Sequence, residues 1–204
     1  MSAQVLSVSL PSEVIYVSGT VNGTAYTWTL IEGAWTATVE RAADDTYAVA
    51  LTAVTAAGVS TNYALTLYYG LLSLITDRTR ADVANQTDKG FYNASDLNRV
   101  GAAVEYIADR FIALGYACPV TVKKDWLTSD APTASQLETY RQNIVTLRGQ
   151  IAVMASTPEA PASIAGLNYV KANNIEQILL DLDALIDKLI KSWYFSGELY
   201  AGEV

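Results

Sequence analysis

The run Tyr63-Ala64-Leu65-Thr66-Leu67-Tyr68-Tyr69-Gly70-Leu71-Leu72-Ser73-Leu74-Ile75 is where the sequence changes its period. Before Gly70, Tyr63, Leu65 and Leu67 fall on one side of an extended chain and Ala64 and Thr66 on the other, which is the signature of a strand. Upstream, residues 1–70 hold five acids, one base, 11 Thr and 9 Val. β-Branched residues with so little charge favour strands. Downstream, residues 71–204 hold the remaining 16 acids and 12 bases, with Leu, Ile and Ala at helical intervals. The chain therefore reads as α+β in two domains. Residues 1–70 form an antiparallel β-sandwich, and residues 71–204 form a three-helix bundle that ends in an aromatic tail.

Within residues 1–70, short alternating runs are separated by turn residues about every ten positions, predicting six or seven strands. Pro11, Asn22-Gly23, Glu32-Gly33, Asp44-Asp45 and Gly58 mark the turns. Asn-Gly tolerates the positive φ that a tight hairpin demands. Tyr26, Trp28 and Leu30 share one face of a strand, and Trp35, Ala37 and Val39 face inward from the strand that returns. Both tryptophans read as core rather than as exposed sugar-stacking platforms.

Three apolar stripes follow. Leu97, Val100, Val104, Ile107, Phe111 and Leu114 recur at alternating spacings of three and four, and so do Leu137, Tyr140, Ile144, Leu147, Ile151 and Met154. Ile175, Ile178, Leu182, Leu185 and Leu189 form the third stripe. Such stripes must be buried. Ser95 or Asn93 caps the first helix and Gly115 stops it. Thr133 with Gln136 forms a capping box for the second, and Asn168 caps the third. Cys118 to Leu127 reads as an extended strap over the bundle. The apolar join at Gly70 predicts that the halves are docked or that this surface meets another chain.

The 204 residues are 51% apolar and 17% charged, with 12 Gly, 5 Pro, one Cys and no His. That composition buries a core and excludes a disordered chain. A net charge of -8 argues against nucleic acid, which is bound by clustered Lys and Arg. Without histidine the commonest general base and metal ligand are missing, and a single cysteine forms no disulfide or thiolate cluster within the chain. No phosphate loop, nucleophile elbow or zinc-protease motif occurs. Asp181, Asp183 and Asp187 read as the solvated flank of the third stripe, Asp44-Asp45 as a turn, and Asp77, Asp82 and Asp88 as scattered charges. Asn98, Arg99, Asn173, Asn174 and Glu176, polar residues in or beside the stripes, read as bonded across the bundle to fix its register. The expectation is a non-enzyme with no catalytic residues, no metal and no cofactor. Met1 to Val14 has no basic segment followed by an apolar run, which predicts no export signal. The longest mostly apolar run, Leu65 to Ile75, falls short of the ~20 residues of a bilayer span. Contact surfaces are expected at Tyr68, Tyr69, Leu71 and Leu72, and in the tail at Trp193, Tyr194, Phe195 and Tyr200.

Two resemblances sharpen this. The segment from Asp45 through Tyr47 to Ser60 is similar to the late strand pair of bacterial immunoglobulin-like modules, with Tyr47 where such modules carry a corner tyrosine. Leu74 to Val83, Lys89 to Tyr106, Ala172 to Leu179 and Trp193 to Glu198 together resemble a module of structural proteins in tailed phages and prophages of Gram-positive bacteria. The chain departs from that pattern in its short link, Ala84 to Asp88. The resemblance implies a virion component of the tail or baseplate type, made in the host cytoplasm, that contacts other virion proteins and copies of itself as a homo-oligomer. An alternative it also implies is an immunoglobulin-like module that contacts host-surface polysaccharide.

Overall fold

A computed structural model describes residues 3–42, 46–69 and 73–200, with side chains as far as Ser192. The fold is α+β, with two antiparallel sheets of seven strands in all and four α-helices among the described residues. The strands are β1 (Ala3–Val8), β2 (Val14–Val21), β3 (Thr24–Thr27), β4 (Thr29–Ile31), β5 (Ala34–Glu40), β6 (Thr46–Thr55) and β7 (Ser60–Tyr68). The helices are α1 (Arg80–Ala84), α2 (Ala94–Ala113), α3 (Ala134–Arg148) and α4 (Tyr169–Tyr200). The chain divides into two compact units. One is Met1–Ser73 with Tyr92–Ala103 and Lys123–Pro132, and the other is Leu74–Phe91 with Val104–Val122 and Thr133–Val204.

In the first unit the sheets have the orders β1-β5-β4 and β3-β2-β6-β7. Alternate residues of both sheets, among them Leu6, Val8, Val17, Trp35, Val39, Val49, Leu51, Leu65 and Leu67, join one buried cluster with Leu127. Each such side chain contributes roughly 1.5–3 kcal/mol of hydrophobic stabilisation. The hairpins close where expected. Asn22 and Gly23 both have positive φ, as do Glu32 and Gly33, giving the backbone twist that a two-residue turn needs. The Asp44-Asp45 turn lies outside the described residues.

The predicted strand through Tyr26, Trp28 and Leu30 is corrected. β3 pairs with β2 in one sheet and β4 pairs with β5 in the other, so the chain changes sheet at Trp28. The crossing resets which side faces inward. Trp28 is 5% exposed and fills the crossing point, whereas Leu30, on an edge strand, is 53% exposed.

In the second unit, Ile175, Ile178, Leu179, Leu182 and Ile186 of α4 are fully buried, as are Ile144 and Leu147 of α3 and Ile107 and Phe111 of α2. α2 starts at Asn93, whose Oδ1 accepts the Ser95 N–H while Asp96 accepts the Asn93 N–H, so Asn93 rather than Ser95 is the cap. It ends at Gly115, with φ +86 and bonds from Gly115 N to Ile112 O and from Tyr116 N to Phe111 O. The Phe111 and Tyr116 rings meet edge to face across this turn. Thr133 and Gln136 make the predicted box, and Asn168 accepts the Lys171 N–H at the start of α4. The second stripe overran its helix, because α3 closes at Gly149 and leaves Ile151 and Met154 beyond it. The third fell short. α4 runs through Gly197, and Trp193 to Tyr200 are helical rather than a tail after the helix. One interior glycine costs about 1 kcal/mol, less than a long helix can absorb. Among the described residues, no helix is long and apolar enough to cross a membrane.

Candidate functional site

Of the expected contact residues, Tyr68 and Tyr69 can be located at the end of β7. Leu65 and Leu67 point into the core, so Tyr69 follows them inward and its ring meets Tyr47 edge to face at 5.6 Å. Tyr47 is fully buried at the start of β6, and its hydroxyl accepts the Ala42 N–H at 3.0 Å. Tyr68 points to the other side. Cations cover both rings: the Lys124 ammonium lies 5.2 Å from the Tyr69 centroid and the Arg99 guanidinium 5.9 Å from that of Tyr68. Both tyrosines are half-buried. Leu71 and Leu72 lie outside the described residues, as do the side chains of Trp193, Tyr194, Phe195 and Tyr200.

Asn98 and Asn173, two of the polar residues of the helical stripes, bind extended backbone. Asn98 Oδ1 accepts the Trp126 N–H at 2.6 Å and its Nδ2 donates to Trp126 O at 3.0 Å and to Thr66 O of β7 at 3.0 Å. Asn143 binds the N–H and C=O of Thr121 in the same way, at 3.1 and 2.7 Å. Asn173 does so with Arg78, at 3.1 and 2.9 Å. Each carboxamide thus replaces a neighbouring strand for one residue of an extended segment. One helical turn after Asn173, Glu176 accepts from Arg78 Nη2 at 2.7 Å and from the Ile75 N–H at 2.6 Å, while Arg78 Nη1 donates to Ile75 O. The Arg78 and Glu176 side chains are 1% and 0% exposed. The strap from Cys118 to Leu127 is extended but pairs with no sheet. It is held by these amides instead.

The carboxylates are likewise engaged. Asp183 and Asp187 both receive Arg110, so this flank of α4 is ion-paired and not merely solvated. Asp77 pairs with Lys89, and Asp82 closes a capping box with Thr79 at α1. Asp125 accepts the Ser9 N–H at 2.5 Å and pairs with Lys123 at 2.8 Å. Burial alone would push the Asp125 pKa up, but those two donors outweigh it and hold the carboxyl below its ordinary range. Burial pushes the lone Cys118 thiol up, which disfavours the reactive thiolate. Among the described residues, no group of three or more acids and cysteines is placed to hold a metal ion.

Two open surfaces of the first unit escaped the sequence reading. A groove of about 520 Å³ runs between the outward face of β2, β6 and β7 and the start of α2, with Thr20, Thr66, Asn93, Trp126 and Thr128 among its walls. At the far tip, a second cavity of about 480 Å³ is lined mainly by apolar groups, among them Val14, Ala53, Ala57, Val59 and Tyr63, with the charged Glu13 also on its wall. Ile15, Tyr16 and Val59 of this region are 63%, 59% and 58% exposed. No family model, no curated protein and no solved structure matches the chain.

Proposed function

We propose that this chain is a non-enzymatic structural protein of a tailed-phage virion, of the tail or baseplate, acting through protein–protein contacts. The observation that carries the reading is where the quoted sequence blocks fall. Leu74 to Val83 contains Arg78, and Ala172 to Leu179 contains Asn173 and Glu176, which grip it. Lys89 to Tyr106 contains the Asn93 cap, the buried Asp96–Arg99 pair and the Asn98 clasp. The polar groups that carry the resemblance are thus engaged in holding backbone in place, as a scaffold requires.

An immunoglobulin-like sandwich is supported by the strand orders β1-β5-β4 and β3-β2-β6-β7. These match an immunoglobulin-type arrangement of strands B-E-D against C′-C-F-G without strand A. On that alignment Tyr47 opens strand F, and its bond to a backbone N–H five residues upstream is the corner geometry. A three-helix bundle is supported by the buried stripes of α2, α3 and α4. Peptide mass spectrometry of particles purified from an induced lysogen that encodes the chain tests the reading. Its peptides should be enriched with the particles; their presence in the lysate but absence from particles would overturn it.

The groove beside Thr20, Thr66 and Asn93 favours a second reading, contact with a neutral host-surface polysaccharide, because its walls carry hydroxyl and amide groups and no charge. A glycan array probed with the full chain separates the two. Silence on the array removes the second reading and leaves the first.

A further inference from the structure

We propose that Asn22 is a deamidation site that the native β2–β3 hairpin holds shut and that opening of the hairpin releases. Asn22 precedes Gly23, and no other asparagine in the chain precedes a glycine. That pairing sets the chemistry. The backbone nitrogen of Gly23 bonds to the side-chain carbonyl carbon of Asn22 and loses its proton to hydroxide. The carboxamide nitrogen takes a proton from water and leaves as ammonia. Water then opens the five-membered imide at either carbonyl, which gives aspartate or isoaspartate. Glycine favours the attack because it has no Cβ to crowd the approach. A Cβ at Gly23 would meet nothing within 4 Å, and Asn22 is exposed, so both water and hydroxide reach the turn.

The direction of the carboxamide holds the site shut. In the sheet order β3-β2-β6-β7 the chain leaves β2 towards β3 on one side, while β6 lies on the other. The Gly23 nitrogen belongs to that turn. The Asn22 carboxamide reaches instead to β6, where its Oδ1 accepts the Ala48 N–H at 2.8 Å and its Nδ2 donates to Thr46 O at 3.3 Å. The Asn22 N–H adds a bond to Ala48 O at 2.8 Å. Ring closure requires the side chain to drop both β6 bonds and swing back over the turn. It is therefore confined to the opened hairpin, whose population follows the free energy of local opening. The change is one-way. Aspartate keeps one oxygen for the Ala48 N–H but sets another against Thr46 O, and isoaspartate lengthens the backbone of a two-residue turn. Either product also puts a charge at the edge of β2, β3, β6 and β7, whose residues carry none.

Peptide mass spectrometry of the full chain, incubated at mildly alkaline pH with and without guanidinium chloride, tests the proposal through the mass gain of an amide-to-acid change. In denaturant the Asn22 peptide should convert faster than those of Asn85 and Asn93, which precede Gln86 and Ala94. Without denaturant, conversion at Asn22 should slow at least about tenfold. Equal rates in the folded and unfolded chain would overturn the protection. Conversion at Asn22 no faster than at Asn85 in denaturant would overturn the site. Asn22→Asp, made directly, reads the consequence. It should unfold at a lower urea concentration than the wild type by circular dichroism, and failure to fold counts the same way. An unchanged midpoint would overturn the account of the product.

Discussion

Asn98, Asn143 and Asn173 each commit both ends of a carboxamide to the N–H and C=O of a single residue, and this makes them more demanding positions than the apolar residues beside them. Asn98→Ala leaves the N–H and C=O of the buried Trp126 unpaired, and the expected loss is on the order of 3 kcal/mol in urea unfolding. Glu176→Ala removes the carboxylate that faces the buried Arg78 guanidinium and should cost about 3–5 kcal/mol, whereas the double change Arg78→Met with Glu176→Leu should recover part of that loss. Asp125 gives a pH signature. Its pKa is depressed in the folded state, so its stabilisation is complete above its unfolded value of about 3.9 and disappears as pH falls through the folded value. The chain should hold its stability from pH 7 to 5 and lose it below about pH 4, with a smaller acid-side fall in Asp125→Asn. Asn98, Asn173 and Glu176 were visible in the sequence as polar residues at stripe positions, but their partners were not. A carboxamide that binds backbone leaves no complementary residue to find, and Asn143 carried no signal at all.

At the level of elements, what could be read locally could be read well. The turns at Asn22-Gly23 and Glu32-Gly33, the stop at Gly115 and the Thr133 box each depend on a few adjacent residues whose φ or side-chain reach is fixed by their own chemistry. Thr133→Ala removes the oxygen that accepts the Gln136 N–H and should lower stability by about 1 kcal/mol, measured by thermal melting. Errors arose where a distant partner decided. The sheet change at Trp28 is invisible in an alternating run, because period 2 says which residues share a side and not which sheet they join. The end of α3 at Gly149 was hidden by a stripe that kept its spacing past the helix. The open tip was also missed.

For the whole molecule, the uneven charge distribution predicts an unusual salt response. Copies of a chain with net charge -8 repel one another, and that repulsion is what salt screens. Raising ionic strength from about 0.05 to 0.5 M should therefore tighten self-association, the reverse of an ion-paired interface, and light scattering across a salt series reads this directly. The division of the first unit into three pieces of chain has a different consequence, one for synthesis. Its strands end at Tyr68, but the amide that binds Thr66 O is on Asn98 and the carboxylate that binds the Ser9 N–H is on Asp125. At ~5–20 residues per second the ribosome must work for several seconds more before those groups emerge. Throughout that interval the nascent sheet lacks its last fasteners, and it is a sheet with no charge to keep neighbouring nascent chains on a polysome from adhering.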